Sequence, residues 1–256
     1  MKLRFLGTGT STGNPEIGCQ CNVCTSSDSK DWRFRASALL EIDDKHILID
    51  CGPDFRLQVL ETLKTHSFET LDAVLITHEH YDHVGGLDDL RAFSKLNDIQ
   101  IYAEDYVVEA IQTRIPYVFR EYKYPGIPKL KMNLVDIRSS FFIQGIEIIP
   151  IRLMHGELPI LGYRIGKLAY LTDLKTIPEE EYSKLQGLDV LVINALREKE
   201  HISHETLCDA LQNIERIKPE KTYLTHMSHT FGLHEKMQKQ LPQNVFIAYD
   251  GLEVYV

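Results

Sequence analysis

Three histidines and one aspartate stand within the six-residue segment His78-Glu79-His80-Tyr81-Asp82-His83. An apolar run, 71–76, precedes them and is typical of a buried strand, so the four side chains lie on the loop at its carboxyl end. Four such donors exceed what a single tetrahedral metal with an open position requires. The segment therefore predicts two neighbouring metal ions that share this loop and activate water for hydrolysis.

Other predicted strands also end at residues that can bind or support a metal. These residues are Asp50, His155, Asp173 and His226. One such residue alone is ordinary turn chemistry, but so many strand ends of this type predict one shared edge of the sheets, with a cleft there. A carboxylate can also bridge two cations and hold them roughly 3.5–4 Å apart.

Length and composition limit the classes of protein that need considering. The chain has 256 residues, of which 43% are hydrophobic and 25% charged, and we expect one globular domain over 1–256. Its net charge of −9 argues against a protein that binds nucleic acid over much of its surface, but a local basic patch remains possible. Because neither a signal peptide nor a membrane-length apolar segment is evident, we expect a cytoplasmic protein that does not bind membranes.

Hydrophobic periodicity predicts an α/β protein with two sheets packed face to face and helices outside. The predicted strands are 2–6, 36–42, 45–49, 71–76, 99–103, 132–137, 141–143, 146–153, 161–165, 168–172, 189–194, 221–225, 244–248 and 252–256. The predicted helices are 54–65, 87–96, 104–114, 178–185, 204–217 and 232–240. A hairpin turn is expected at Asp43-Asp44, and 115–131 is expected to be a long loop.

A second cluster, Cys19-Gln20-Cys21-Asn22-Val23-Cys24, supplies three thiolates. A structural zinc requires four ligands, and His229, three residues beyond His226, is the candidate for the fourth. The alternative is three reduced cysteines without a metal. The remaining two cysteines, Cys51 and Cys208, stand alone and are expected to be buried apolar residues.

The run HEHYDH, followed by a downstream His, Asp and His, resembles the metallo-β-lactamase superfamily, whose signature is HxHxDH. The resemblance implies a four-layer αββα sandwich of two mixed sheets, with a dinuclear site at one edge. It implies that His78, His80 and His155 hold one metal. It further implies that Asp82, His83 and His226 hold the second metal and that Asp173 bridges the two metals. Asp50 is implied to orient the ligands without binding a metal itself.

Within that superfamily, CxCxxC after a GTGTSTG-like opening, together with THxSH near the end, resembles the phosphoribosyl cyclic phosphodiesterases. That resemblance implies the extra zinc site and a catalytic histidine before the last long helix, matched by His204, with His201 as a competitor. The run Leu161-Gly162-Tyr163-Arg164-Ile165 also occurs in tRNA 3′-processing endonucleases.

These resemblances imply a metal-dependent phosphodiesterase with two zinc or manganese ions, one structural zinc, and Asp82 and His204 as catalytic residues. The expected substrate is a small phosphorylated sugar or nucleotide, cyclic or linear, and a homodimer is left open. The alternatives are an endoribonuclease, a thioester or lactone hydrolase, and a binding module without activity. The loop 115–131 interleaves basic and aromatic residues, namely Arg120, Lys123, Lys129, Lys131, Tyr117, Phe119, Tyr122 and Tyr124. It is expected either to contact the substrate or to cover the core.

Overall fold

The computed structural model describes residues 1–95, 97–121 and 126–256. Its strands are β1 (Lys2–Gly7), β2 (Ser37–Ile42), β3 (Lys45–Ile49), β4 (Ala73–Leu75), β5 (Ile99–Ala103), β6 (Leu130–Leu134), β7 (Phe141–Ile143), β8 (Ile146–His155), β9 (Leu158–Ile165), β10 (Leu168–Leu171), β11 (Val190–Asn194), β12 (Lys221–Thr225), β13 (Val245–Ile247) and β14 (Glu253–Tyr255). Its α-helices are α1 (Phe55–Thr62), α2 (Tyr81–Val84), α3 (Asp105–Arg114), α4 (Leu207–Ile217) and α5 (His234–Gln238).

The strands form two seven-stranded mixed sheets, in the orders β14-β1-β2-β3-β4-β5-β6 and β13-β12-β11-β10-β9-β8-β7. In the first sheet the pairs from β3 to β6 are parallel and the others antiparallel. In the second sheet the pairs from β10 to β13 are parallel and the others antiparallel. Each sheet therefore contributes a set of parallel strands whose carboxyl ends can meet at one edge.

Three hydrophobic layers show the αββα arrangement that the sequence predicts. The middle layer joins the inner faces of both sheets, for example Phe5 and Leu40 with Tyr163 and Tyr170. One outer layer packs α1 and α3 on the first sheet, and the other packs α4 and α5 on the second. Among the described helices, none combines the length and the apolar character needed to cross a membrane.

Most predicted elements are confirmed, but several helical boundaries are wrong. The predicted helices 87–96 and 178–185 contain 3₁₀ helices, Leu87–Ala92 and Glu179–Leu185, and Leu96 lies outside the described residues. Helix α4 begins at Leu207 rather than at 204, because Thr206 and Asp209 form a reciprocal cap there. His204 consequently lies on a loop before the helix.

The predicted loop 115–131 is partly ordered secondary structure. It includes a 3₁₀ helix, Pro116–Val118, and the first two residues of β6. Strand β6 begins at Leu130 because the strand continues the parallel pairing with β5 from Ile99 onward. The expected turn at Asp43-Asp44 is confirmed, with Asp43 at a left-handed φ of 55°.

Two glycines allow the ligand-bearing turn to pack against the loop that follows β3. A methyl group at Gly52 would overlap the backbone oxygen of Asp82, and one at Gly86 would overlap the backbone oxygen of Gly52. Two backbone hydrogen bonds join the same segments, since Cys51 N–H donates to the His83 carbonyl and Gly86 N–H donates to the Cys51 carbonyl, each at 2.8 Å. This close backbone approach, possible only without side chains, fixes α2 at the sheet edge.

Candidate metal centre

The ends of strands from both sheets bring the predicted ligands to one edge of the sandwich. From the first sheet, β3 leads to Asp50, while β4 leads to the segment with His78 and to α2. From the second sheet, β8 ends at His155, and β10 and β12 lead to the last two ligands. The predicted ligands and their supporting aspartate are buried, except for the half-buried His80: Asp50, His78, Asp82, His83, His155, Asp173 and His226.

Asp173 is the centre of this cluster. Its carboxylate lies within 4.8 Å of donor atoms in three groups: Asp82, His83 and His226; His78 and His80; and His155 and His204. One carboxylate oxygen, Oδ1, is 2.7 Å from His226 Nε2, whereas Oδ2 is 3.2 Å from His83 Nε2 and 3.4 Å from His78 Nε2. The two oxygens therefore face different histidines, which is the arrangement that a carboxylate bridging two cations needs.

The unpartnered atoms of the cluster fit a pair of divalent cations. His78 Nε2, His83 Nε2, His226 Nε2 and Asp82 Oδ2 are buried and make no hydrogen bond of good geometry among the described residues, although the nitrogens lie 2.7–3.5 Å from carboxylate oxygens. A buried polar atom left unpaired costs about 1–3 kcal/mol, so four of them in one place require an explanation. Coordination by cations would satisfy all four, and imidazole and carboxylate suit zinc and similar metals.

Hydrogen bonds to the other ring nitrogens aim two of the histidines. His83 Nδ1 lies 2.7 Å from Asp50 Oδ2, and His155 Nδ1 lies 2.6 Å from the Asp173 carbonyl oxygen. Each Nδ1 therefore donates, which leaves Nε2 as the nitrogen able to bind a metal. Asp50 is itself held by the backbone N–H and hydroxyl of Thr77, at 2.8 and 2.9 Å. Sequence reasoning predicted Asp50 in this position but missed Thr77.

Three residues of the centre have left-handed backbone conformations. Asp50, Asp173 and His226 have φ values of 58°, 59° and 55°. A non-glycine residue in this region costs on the order of 1–3 kcal/mol and persists only where its surroundings hold it. All three follow strands that end at the site edge, where the chain must turn sharply to aim a side chain along the edge. Three of the six non-glycine residues with a left-handed φ in the described part of the chain thus lie in this one centre.

His78 and His226 have pKa values shifted in opposite directions. Burial lowers the pKa of His78 to about 4, which keeps this imidazole neutral and able to bind a cation. Although burial opposes protonation of His226, Asp173 and Asp82 raise its pKa to about 9. Below about pH 9 the metal-free His226 therefore carries a proton that a cation must displace. Metal affinity should consequently fall as pH is lowered, with protons released on binding.

His204 faces the cluster, and His201 lies behind it. The His204 ring is 4.5 Å from the His155 ring and 5.2 Å from the His226 ring, and only 8% of the residue is exposed. The His201 ring is 4.9 Å from His204, and its Nδ1 accepts a hydrogen bond from the Ser203 backbone at 3.3 Å. The structure therefore places His204, rather than His201, beside the predicted metal ligands.

The four ligands predicted for a structural zinc also lie together. Donor atoms of Cys19, Cys21, Cys24 and His229 are within 4.8 Å of one another, and His229 Nδ1 is 3.4 and 3.3 Å from the first two sulfurs. The His229 imidazole lowers the pKa of Cys21 to about 6, which favours the thiolate that zinc requires. Burial instead raises the pKa of Cys24 to about 11, so zinc binding there would displace a proton.

A carboxylate that the sequence did not reveal completes this second site. Glu16 Oε2 lies 2.9 Å from His229 Nε2, so the nitrogen not directed at the sulfurs has an anionic partner. Such carboxylate–histidine pairs orient zinc ligands. The other two cysteines differ: Cys51 is buried as predicted, whereas Cys208 is exposed and that prediction is wrong. Cys208 is exposed because it lies on the outer face of α4.

The basic and aromatic segment after α3 contributes mainly to packing in its described part. Val118 is buried and Phe119 packs against the outer core of the first sheet, while Tyr117 Oη donates to Asp88 at 2.6 Å. Arg120, Lys129 and Lys131 are exposed. Tyr122, Lys123 and Tyr124 lie outside the described residues, so the predicted recognition by this loop stays a prediction.

Replacing the central carboxylate should empty the first site. Asp173→Ala is expected to reduce metal affinity by more than the roughly 10–100-fold that outer-sphere changes cost, and to abolish hydrolysis, because the histidines on both sides lose their shared partner. Elemental analysis of the purified variant measures the first effect. Asp136→Ala, which removes an exposed carboxylate paired with Arg138, is the control. Full metal content in Asp173→Ala would contradict the bridging role.

The cysteine site should be separable from the first site. Cys24→Ser is expected to remove one zinc per chain and to lower the unfolding temperature, because the site joins the amino-terminal segment to the segment after β12. Cys208→Ser, at the exposed cysteine, should keep both the zinc and the unfolding temperature. Elemental analysis and thermal denaturation of both variants measure these effects. If Cys24→Ser kept all of its zinc, the four residues would not form a zinc site.

The chain matches known proteins along its whole length. A family model described as a beta-lactamase superfamily domain matches residues 45–227. An octanoyltransferase of Porphyromonas gingivalis is 47% identical over 258 residues, which cover 100% of this chain and 52% of the relative. The chain thus spans about half the length of that relative.

Two solved structures share the fold. The crystal structure of a new diphosphatase from the PhnP family superimposes with a TM-score of 0.91 and 38% identity, covering 99% of this chain and 96% of that one. Zn²⁺-bound PqqB from Methylobacterium extorquens superimposes with a TM-score of 0.80 over 100% of both chains, and its 18% identity shows a common fold alone. With the matching family model and its αββα layers, this chain belongs to the beta-lactamase superfamily, the family of the metallo-β-lactamase fold.

Proposed function

We propose that this protein is a metal-dependent phosphodiesterase that hydrolyses a small phosphorylated sugar or nucleotide. The proposal includes two divalent ions in the Asp173 cluster and one zinc at the cysteine site. The observation that carries it is the position of Asp173, whose carboxylate contacts histidines of both groups, with Oδ1 facing His226 and Oδ2 facing His83 and His78. Paired cations of this kind suit the attack of water on a phosphate ester, whose oxygens carry negative charge.

The choice of a phosphate ester over other substrates draws on the relatives. The diphosphatase of the PhnP family is 38% identical and aligns over nearly the whole of both chains, which supports a related chemistry for this chain. Its name describes cleavage at phosphorus. A phosphodiester presents the same tetrahedral centre and the same anionic oxygens, which supports the transfer of this chemistry to the present chain.

The residues of the cluster would have different roles in the reaction. Divalent ions bound here would supply an activated water and offset the charge of the phosphoryl oxygens. Asp173 would set their separation. Asp82 Oδ2, which is buried 3.2 Å from His83 Nε2 and 3.5 Å from His226 Nε2, would orient the attacking water. Although burial opposes ionisation of Asp82, these two histidines hold its pKa well below the usual value, so it stays ionised at neutral pH.

His204 is the proposed proton donor to the leaving oxygen. Burial lowers its pKa to about 3, so in the free protein the imidazole is neutral at pH 7. A bound phosphodiester would place an anion beside the ring, and an opposite charge at close range raises the pKa of an imidazole. Protonation of His204 would therefore accompany substrate binding, and the proton would be available when the ester bond breaks.

A second candidate function is hydrolysis of an acyl ester or thioester. The 47% identical relative is named an octanoyltransferase, and a metal-activated water can attack a carbonyl as well as phosphorus. The matched region is only 52% of that relative. The name octanoyltransferase therefore describes a protein about twice as long as this chain. The endoribonuclease and the binding module remain as further alternatives, each with a distinct result in the same assay.

A substrate panel separates these functions. The metal-loaded protein is incubated, with Zn²⁺ or Mn²⁺, with bis(p-nitrophenyl) phosphate, a five-membered cyclic sugar phosphate, an octanoyl thioester, a lactone and a precursor tRNA with a 3′ trailer. We expect turnover of the two phosphodiesters and little of the acyl substrates, with all activity lost in Asp173→Ala. Faster cleavage of the thioester, or of the tRNA alone, would replace the proposal, and a metal-loaded protein inactive on all five would indicate a binding module.

The proton donor can be tested within the histidine pair. His204→Ala should lower kcat on a phosphodiester by about 100-fold or more and keep its bound metal. In the wild type kcat should fall as pH rises through the pKa of His204 in the substrate complex. This fall should be absent from the variant. His201→Ala is the matched control and should retain both the rate and the pH profile. Loss of metal from His204→Ala would instead make His204 a ligand, together with His155 and Asp173.

A further inference from the structure

An exposed tyrosine stands between two predicted metal ligands. Tyr81 follows His80, which is half-buried, and precedes Asp82, which is buried. Tyr81 itself has 57% of its surface exposed, although large aromatic side chains are normally covered. Its backbone lies in the ligand segment, so the exposed ring stands close to the metal centre but outside the buried cluster.

The position of this ring is fixed by two neighbours. At Gly85, directly after α2, a methyl group would lie 2.7 Å from Tyr81 Cε2 and 2.9 Å from Cζ, so the absence of a side chain lets the ring rest against the backbone. The guanidinium carbon of Arg114, at the end of α3, is 5.7 Å from the ring centroid. Arg114 Nη2 also donates to the Glu79 carbonyl at 3.3 Å, which ties α3 to the ligand segment.

The guanidinium of Arg114 has no acidic partner among the residues that the structure describes. In the described part of the chain no carboxylate lies within the 4.0 Å of an ion pair, whereas Arg35, Arg138 and Arg152 pair with Asp54, Asp136 and Glu104. Arg114 is exposed and is held by the ring and one backbone carbonyl. An unpaired guanidinium beside a metal centre can bind a phosphate through two parallel hydrogen bonds.

We propose that Tyr81 and Arg114 form a subsite that selects nucleotide substrates, in which the ring stacks on the base and the guanidinium binds a second phosphate. The inference rests on the proposed function and narrows it to a nucleoside diphosphate ester or a similar nucleotide. An exposed aromatic ring is the usual platform for a base because every base has a flat π face. The adjoining cation suits the extra charge that such a substrate carries beyond the phosphate being cleaved.

Two p-nitrophenyl phosphodiesters with the same leaving group test the stacking. One is the p-nitrophenyl ester of thymidine 5′-monophosphate, and the other is methyl p-nitrophenyl phosphate, which has no base. Tyr81→Ala should raise KM for the thymidine ester about tenfold, as loss of a stacked base does, with kcat unchanged, and should leave KM for the methyl ester unchanged. Tyr81→Phe should behave as the wild type, because the ring is retained.

The guanidinium is tested with a substrate that has a second phosphate. For the p-nitrophenyl ester of thymidine 5′-diphosphate, Arg114→Ala should raise KM about tenfold or more, as expected when a charge-assisted contact is lost, and Arg114→Lys should restore only part of the affinity. For the thymidine monophosphate ester, neither change should alter KM. Tyr255→Ala, which removes an exposed tyrosine on the distant edge strand β14, is the control for both series.

The outcomes separate this inference from the proposed function. If Tyr81→Ala and Arg114→Ala cleave all three esters with the KM of the wild type, the subsite does not exist and the phosphodiesterase stands. If the metal-loaded wild type cleaves none of them, the proposed function fails first. Should Tyr81→Ala lose metal, Tyr81→Leu decides, because it keeps an apolar side chain of similar bulk without a flat ring. A wild-type KM of Tyr81→Leu for the thymidine ester would overturn the proposal.

Discussion

The contact of the Asp173 carboxylate with histidines from both sheets is the interaction on which the rest of the structure depends. His226 follows a strand of the second sheet, whereas His78 and His83 follow a strand of the first, and all three ring nitrogens lie 2.7–3.4 Å from this one carboxylate. Burying so many polar groups is unfavourable unless each is paired or bound to a metal. The centre therefore joins the two sheets of the sandwich at the place where the predicted metal ligands lie.

The backbone around the centre is arranged to serve this contact. Asp50, Asp173 and His226 have left-handed conformations, and the turn with Asp82 packs directly on Gly52. Each left-handed non-glycine residue costs free energy. They follow from the geometry of parallel strands, whose ends point past the sheet edge, so that the chain must reverse at once if a side chain is to reach a shared point. Strained turns and glycine contacts are thus part of the site.

The cysteine cluster extends the same principle to the amino-terminal segment. His226 and His229 are separated by one short turn after β12, and each belongs to a different cluster. The segment with Cys19 to Cys24 is thereby held beside the main centre, and Glu16 orients His229. One strand end consequently positions two sites. A change in the cysteine cluster would reach the main centre through the two residues between His226 and His229.

Features that depend on residues close together along the chain were predictable from the sequence alone. Strands such as 45–49, 99–103 and 221–225 agree with the structure residue for residue, because alternation and apolar runs are local signals, and HxHxDH places four ligands on one turn. Only the tertiary structure decided that His204 rather than His201 faces the cluster, that Thr77 and Glu16 support ligands, and that Arg114 adjoins Tyr81. Those contacts join residues whose order along the chain carries no information about distance, since strand pairing and helix packing alone bring them together.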